Sequence, residues 1–241
     1  MSYSYSENPY QSPMSMFAAQ AAADERSDFI TKTYLHLAGA IGLFIILETV
    51  LLQLPGIEQL VRLMTQSNIV WLVIIGLFVA VSYVANNWAL NAVKPSTQYA
   101  GLGLYVVAEA ILFVPLLYIA ERVSPPGTIL SAAAATVTLF GVLTAVVFIT
   151  RKDFSFLRTV LLFGGIAAFG LIAVALVFDF QLGPIFIYAM IALACGYILY
   201  DTSNVMNHYR IGQHVAASLA LFASVALLFW YILQLFMSRR N

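Results

Sequence analysis

Residues 158–203 read RTVLLFGGIAAFGLIAVALVFDFQLGPIFIYAMIALACGYILYDTS. Only Asp179, Gln181 and the pair Gly183-Pro184 interrupt the apolar run. A helix crosses the hydrocarbon core of a bilayer with about 20 apolar residues. One helix through the whole stretch would be about twice that length, so the sequence places a tight turn at 179–184 and a span on either side, 158–178 and 182–203. Working outward, five further runs of the same length appear, at 33–54, 69–90, 98–120, 128–150 and 214–236. The breaks between them carry turn chemistry: Leu54-Pro55-Gly56, Lys94-Pro95-Ser96, Ser124-Pro125-Pro126-Gly127 and Arg151-Lys152-Asp153.

Composition agrees with that reading. Of the 241 residues 62% are hydrophobic and 9% charged, with a mean hydropathy of +0.90, against about 25% charged in soluble domains. This excludes a soluble domain and a disordered chain. Eleven basic residues balance eleven acidic ones, so no net charge draws phosphate and no nucleic-acid partner is expected. The expected fold is an all-α membrane protein, a seven-transmembrane-helix bundle whose immediate partner is the lipid bilayer. Residues 28–241 form the single transmembrane domain. Residues 1–27, rich in Ser, Tyr, Ala and Met with Pro9 and Pro13, read as a polar, disordered tail; the structured alternative is a short amphipathic lead-in helix from Ser15 to Arg26. The tail lacks a basic n-region followed by an apolar run and is not a signal peptide. The lone Cys195 lies in an apolar run and reads as a core residue. No Cys/His spacing points to a metal, and no cofactor is expected.

Seven spans put the tail and the 2–3, 4–5 and 6–7 loops on one side, with Arg26, Lys32, Lys94, Arg151, Lys152, Arg158 and Arg210. The other side has Arg62, Arg122, Arg239 and Arg240. The positive-inside rule then gives a cytoplasmic N-terminus and an outside C-terminus in a cell (inner) membrane, with Arg239 and Arg240 weighing against it.

Three acids fall within the spans: Glu48, Glu109 and Asp201. Such residues face a bundle interior or an aqueous cavity. They serve either as carboxyls hydrogen-bonded to a neighbouring helix or as a proton or cation site, since carboxylate and hydroxyl oxygens are the hard ligands that calcium prefers. His36, His208 and His214 fall at the interface and read as ordinary polar groups there. Gly39 with Gly42, Ala132 to Ala135, and Gly164-Gly165 with Ala168 have the small side chains of closely packed helices. Pro115 and Pro184 are places where a helix could unwind locally. Enzymatic readings fail: no Gly-x-Ser-Gly-type nucleophile turn lies in a span, Gly101-Leu102-Gly103 lacks the following Asp of an aspartyl intramembrane protease, and the last span has no Schiff-base Lys. A transporter with two related halves is disfavoured, because 33–120 and 128–236 show no repeat.

Thr150-Arg151-Lys152-Asp153-Phe154-Ser155-Phe156-Leu157 between spans four and five, followed by Tyr197-Ile198-Leu199-Tyr200-Asp201-Thr202-Ser203-Asn204-Val205 at the end of span six, resembles the Bax inhibitor-1 (transmembrane Bax-inhibitor-motif) family, and its bacterial YccA-like branch in particular. The resemblance covers roughly residues 30–238. It implies a central sixth helix and a pH-responsive calcium leak, in which an aspartate on each of the sixth and seventh helices share a proton. Asp201 matches the first; the second falls at Ser224, so the di-aspartate pattern is broken. Serine and aspartate cannot titrate as a coupled pair of carboxyls, and Glu109, which matches an acidic position of many bacterial members, becomes the candidate proton partner. The YccA-like branch implies another role, as substrate and modulator of the membrane-anchored protease FtsH, with the tail as the segment grasped.

Overall fold

The computed structural model describes residues 16–91 and 94–238. Eight helices follow one another: α1 (Ala23–Gln53), α2 (Ile57–Thr65), α3 (Asn68–Asn91), α4 (Pro95–Val123), α5 (Thr128–Thr150), α6 (Leu157–Phe178), α7 (Pro184–Asn207) and α8 (His214–Ser238). All except α2 are long and apolar enough to cross a membrane, and they coincide with the seven expected spans within a few residues at most ends. The larger departure is α1, which starts ten residues before the apolar run, with Asp24 and Glu25 in its first turn, where carboxylates complement the free backbone N–H groups. Arg239 and Arg240 lie outside the described residues.

The turn in the long apolar run is where the sequence puts it. Asp179 ends α6 in the left-handed region (φ 54°), and Phe180 N–H donates to the Ala175 carbonyl at 3.1 Å, closing the last turn. Asn68 Nδ2 donates to Asp179 Oδ1 at 2.8 Å, tying this turn to the start of α3. Pro184 occupies the first turn of α7, where the missing N–H has no helical partner to lose, and α4 continues through Pro115. Neither proline unwinds its helix.

The sequence reading missed α2. Gly56 (φ 89°) precedes it in a conformation open to glycine, and its Val61 and Met64 are buried while Leu60 and Leu63 stay exposed. At nine residues it is too short to span, so a search for long apolar runs passes over it.

The resemblance implies a central sixth helix, but the most enclosed span is the seventh. In its most apolar window α8 is 67% buried against 33% for α7. Val215 to Leu219 are buried in succession, which no single-faced helix shows. The cause lies in its side chains. Ala216, Ala217, Ser218, Ser224 and Ala226 allow approach from several directions, and α8 packs against α1, α3, α4, α5 and α7. Helix α7 keeps an outward face at Ile185 and Tyr188. At mid-depth Phe113 of α4 meets Phe44 edge-on at 5.1 Å, Trp230 edge-on at 4.9 Å and Phe229 stacked at 5.7 Å, joining α1, α4 and α8 through aromatic contacts worth about 0.5–1.5 kcal/mol each beyond their buried area.

The small residues divide into two groups. A Cβ on Gly164 or Gly165 would meet Leu193 Cδ1 at 2.8 Å or the Tyr197 hydroxyl at 2.7 Å, and Ala132 and Ala168 are buried. These are close contacts of the expected kind. Gly39 and Gly42 are different: a Cβ on either meets nothing within 4 Å.

Candidate functional site

Asp201 lies six residues before the end of α7, about 9 Å of helix rise from it. Its carboxyl is buried, and Ser224 Oγ donates to Oδ2 at 2.5 Å. The two positions that the sequence pairs by alignment therefore touch, across the α7–α8 contact. One residue on, the Thr202 hydroxyl stands beside the Tyr34 hydroxyl of α1, which also faces Thr144 of α5. These three hydroxyls are buried, with Tyr34 within hydrogen-bonding reach of the other two. Tyr209, in the loop after α7, lies next to the same acid: burial holds its phenol well above the ordinary value, and the negative charge of Asp201 adds to the shift.

Glu109 lies at the midpoint of α4, buried, with Oε2 unpartnered. Its polar neighbour is Tyr105 one turn earlier, which also faces Ser82 of α3. The helices α4 and α7 do not touch; α8 packs against both. Glu109 and Asp201 thus stand on helices that do not pack on each other, each packed on α8. Glu48, five residues from the end of α1, is buried with neither carboxyl oxygen partnered among the described residues. The three acids occupy three depths: Asp201 towards the end of the bundle where α1 starts, Glu109 midway, Glu48 towards the other end. The ion pairs among the described residues, Lys32–Asp28, Arg62–Glu58 and His208–Asp153, involve none of them.

The two sequence motifs meet at the end of the bundle where α7 finishes. Phe154 N–H donates to Ser203 Oγ at 2.9 Å, and His208 Nε2 lies 3.1 Å from Asp153 Oδ2. Asn207 Nδ2 donates to the Ser203 carbonyl at 3.0 Å. The 151–156 segment is thereby latched onto the end of α7, two residues beyond Asp201. Residues 16–22, within the stretch that reads as tail, lie on the next loop: Ala18 N–H donates to the Tyr209 carbonyl at 2.8 Å, Ile211 N–H to the Met16 carbonyl at 3.0 Å, and the Arg210 guanidinium covers the Phe17 ring at 5.6 Å. Ala18 is fully buried. Residues 1–15 lie outside the described residues.

Sequence reasoning found Asp201, Ser224 and Glu109 but not Tyr34, Thr144 or Tyr209. Their signal was weak: single hydroxyl residues in or beside apolar runs, whose convergence from two helices and a loop depends on helix rotation.

The Bax inhibitor family described as inhibitor of apoptosis-promoting Bax1 matches residues 26–241, nearly the whole chain. The protein is a member of the Bax inhibitor-1 family. Among its relatives, LIFEGUARD 4 of Arabidopsis thaliana is 32% identical over 59% of this chain and 58% of its own. Bax inhibitor 1 of Schizosaccharomyces pombe is 29% identical over 68% of this chain and 61% of its own. A bacterial relative, the uncharacterized protein PA2604 of Pseudomonas aeruginosa, is 29% identical over 69% and 73% respectively. The chain thus spans less than two thirds of the length of the first two of these relatives. No solved structure matches it. Like the rest of the Bax inhibitor-1 family it is an integral, multi-pass membrane protein.

The latch has a testable chemistry. The Ser155 backbone N–H holds the Asp153 carboxyl below its ordinary value, and the Ser155 and His208 side chains add to this against a smaller desolvation. A depressed carboxyl contributes stability that is present above its ordinary value of 3.8 and is lost as pH falls through the lowered one. Asp153→Asn is expected to raise amide exchange in residues 151–156 and 203–209 on the order of tenfold at neutral pH, with α4 and α8 unaffected. In the parent protein the same exchange should rise only below about pH 4. Unchanged exchange in the variant would mean that the latch does not hold the loop.

Proposed function

We propose that this Bax inhibitor-1 family member is a proton-regulated cation leak, with calcium as the cation its oxygen donors suit best, and that the path runs along α8. The observation that carries the reading is the buried Asp201–Ser224 contact between α7 and α8, one residue along the chain from Thr202 and its buried cluster of hydroxyls from α1, α5 and α7. Buried carboxyl oxygens without a partner among the described residues, as on Glu48 and Glu109, each cost on the order of kcal/mol in a bilayer. Intramembrane carboxyls without a basic partner are tolerated where they exchange protons or meet cations, and hydroxyl and carboxylate oxygens form a hard donor set. Glu109 and Glu48 extend the series of acids through the depth of the bundle. Because Ser224 replaces a second carboxylate, the proton sensor in this reading is Asp201 alone, modulated by a hydroxyl.

The test is calcium flux into reporter-loaded liposomes between pH 5 and 8. A leak that changes over this range and survives removal of residues 1–15 supports the reading. No leak at any pH, with folded protein in the vesicles, overturns it and turns attention to engagement by FtsH, which predicts the converse: dependence on residues 1–15 and indifference to Asp201 and Glu109.

A further inference from the structure

A groove runs between α1 and α4 on the outward surface of the bundle. It is a cavity of about 300 Å³ lined by Leu35, Gly39 and Leu43 from α1 and by Tyr99, Gly103 and Val106 from α4, among others. The volume lies at the lower end of the range for ligand sites. Its rim is open: Leu35 is 65% exposed and Leu43 40%. In a membrane-spanning chain the medium at this surface is lipid.

Two glycines make the space. A Cβ on Gly39 or Gly103 would meet nothing within 4 Å, whereas one on Gly101, a neighbour in sequence, would strike Ala85 O at 2.6 Å. Gly101 is needed for helix contact; Gly39 and Gly103 are not. Glycine inside a helix costs about 0.5–1 kcal/mol relative to alanine, and here no close approach of protein atoms offsets it. What the two glycines leave is room for something outside the chain.

The groove is polar at one end only. The His36 ring stacks on Tyr99 with centroids 5.4 Å apart and meets His214 at 4.9 Å. The Tyr99 hydroxyl lies 3.4 Å from His214 Nε2, and His36 Nδ1 lies 2.6 Å from the Lys32 carbonyl. The Lys32 ammonium, one turn before His36, pairs with Asp28 at 2.7 Å in a contact more than half exposed on both sides. Exposed pairs of this kind are worth about 0–1 kcal/mol, so the Asp28 carboxylate does not prevent a phosphodiester from sharing Lys32. An ammonium, a phenol and two imidazoles above a narrow apolar slot complement an amphiphile with a phosphate at its head.

We propose that the α1–α4 groove binds one phospholipid of the adjoining leaflet, with an acyl chain laid over Gly39 and Gly103 and the phosphate at Lys32, Tyr99, His36 and His214. This site is separate from the Asp201 region and does not depend on the leak reading.

The experiment uses the full chain in phosphatidylcholine vesicles with a trace of phosphatidylglycerol bearing a photoactivatable acyl chain, followed by peptide mapping of the cross-links. The expected map concentrates on residues 35–43 and 99–106. Gly39→Leu with Gly103→Leu fills open space and is expected to fold normally while reducing that labelling at least fivefold. Lys32→Gln with Tyr99→Phe should reduce it as well. Labelled diacylglycerol, which has the chains without the phosphate, should mark the groove at least fivefold less. Cross-links spread evenly over the outward faces of α3, α5 and α6 overturn the proposal whether or not the variants fold. Equal labelling by diacylglycerol overturns it too.

Discussion

Asp201→Asn is expected to flatten the pH response of calcium flux through the proposed leak. Asparagine keeps the size of the side chain and an oxygen that can accept the 2.5 Å bond from Ser224 Oγ, so packing between α7 and α8 is retained. What it removes is the proton that comes and goes. A single titrating carboxyl changes its charged fraction by up to about tenfold per pH unit on the protonated side of its transition. A leak gated by it should therefore vary on the order of tenfold between pH 5 and 8 in the parent and by less than about twofold in the variant. Ser224→Asp supplies the complementary result. A carboxyl placed against Asp201 creates two acids that titrate as a coupled pair, and the single transition should become two separated ones. Glu109→Gln reports on a different matter. Its helix does not touch α7, so it is expected to reduce the size of the flux without moving the transition that Asp201 sets. A parent-like pH response in Asp201→Asn would remove Asp201 from the sensor role, whatever happened to the flux.

The bundle was legible because each span is decided by its own residues. Length, apolarity and the turn chemistry at Leu54-Pro55-Gly56 or Gly183-Pro184 act locally, and the bilayer thickness sets the yardstick. Contact between Asp201 and Ser224 was legible for another reason: two motifs at a characteristic spacing imply a shared family arrangement. What stayed hidden needed helix rotation and neighbour choice. Nothing in 214–236 distinguishes a central helix from a peripheral one except a high content of Ala and Ser, and those residues permit close packing without saying how many helices will use it. The same limit explains the glycines. Gly39 and Gly101 are equally small and equally apolar in context, yet one faces open groove and the other a backbone carbonyl. Likewise the depth of Glu109 made it a natural partner for Asp201, and only the packing shows that α4 and α7 each lie against α8 rather than against one another.

Gly101→Val should be among the most damaging single substitutions in the apolar spans. The glycine of α4 lies against α3 so closely that a Cβ would sit 2.6 Å from Ala85 O, 2.9 Å from Ala89 N and 3.1 Å from Trp88 Cβ. The first two are backbone atoms of a helix whose Ala85 and Ala89 are themselves buried, so no rotamer change relieves the contact. The helices must separate, and the packing of α3 on α4, among the most extensive in the bundle, is lost with it. Overpacking typically costs 1–3 kcal/mol, and a contact against backbone belongs at or above the top of that range. For a bundle held largely by close packing rather than by water exclusion, that is a large share of its stability. The expected result is a fall in thermal midpoint in detergent of on the order of ten degrees, or loss of monodisperse protein. Ala85→Gly in the same chain should fail to restore it, because the obstruction is the carbonyl oxygen, which every residue carries. Gly103→Val, two positions along the same helix and facing open groove, is the matched control and should be nearly neutral. Equal damage from both would show that helix propensity, rather than the α3–α4 approach, governs this part of α4.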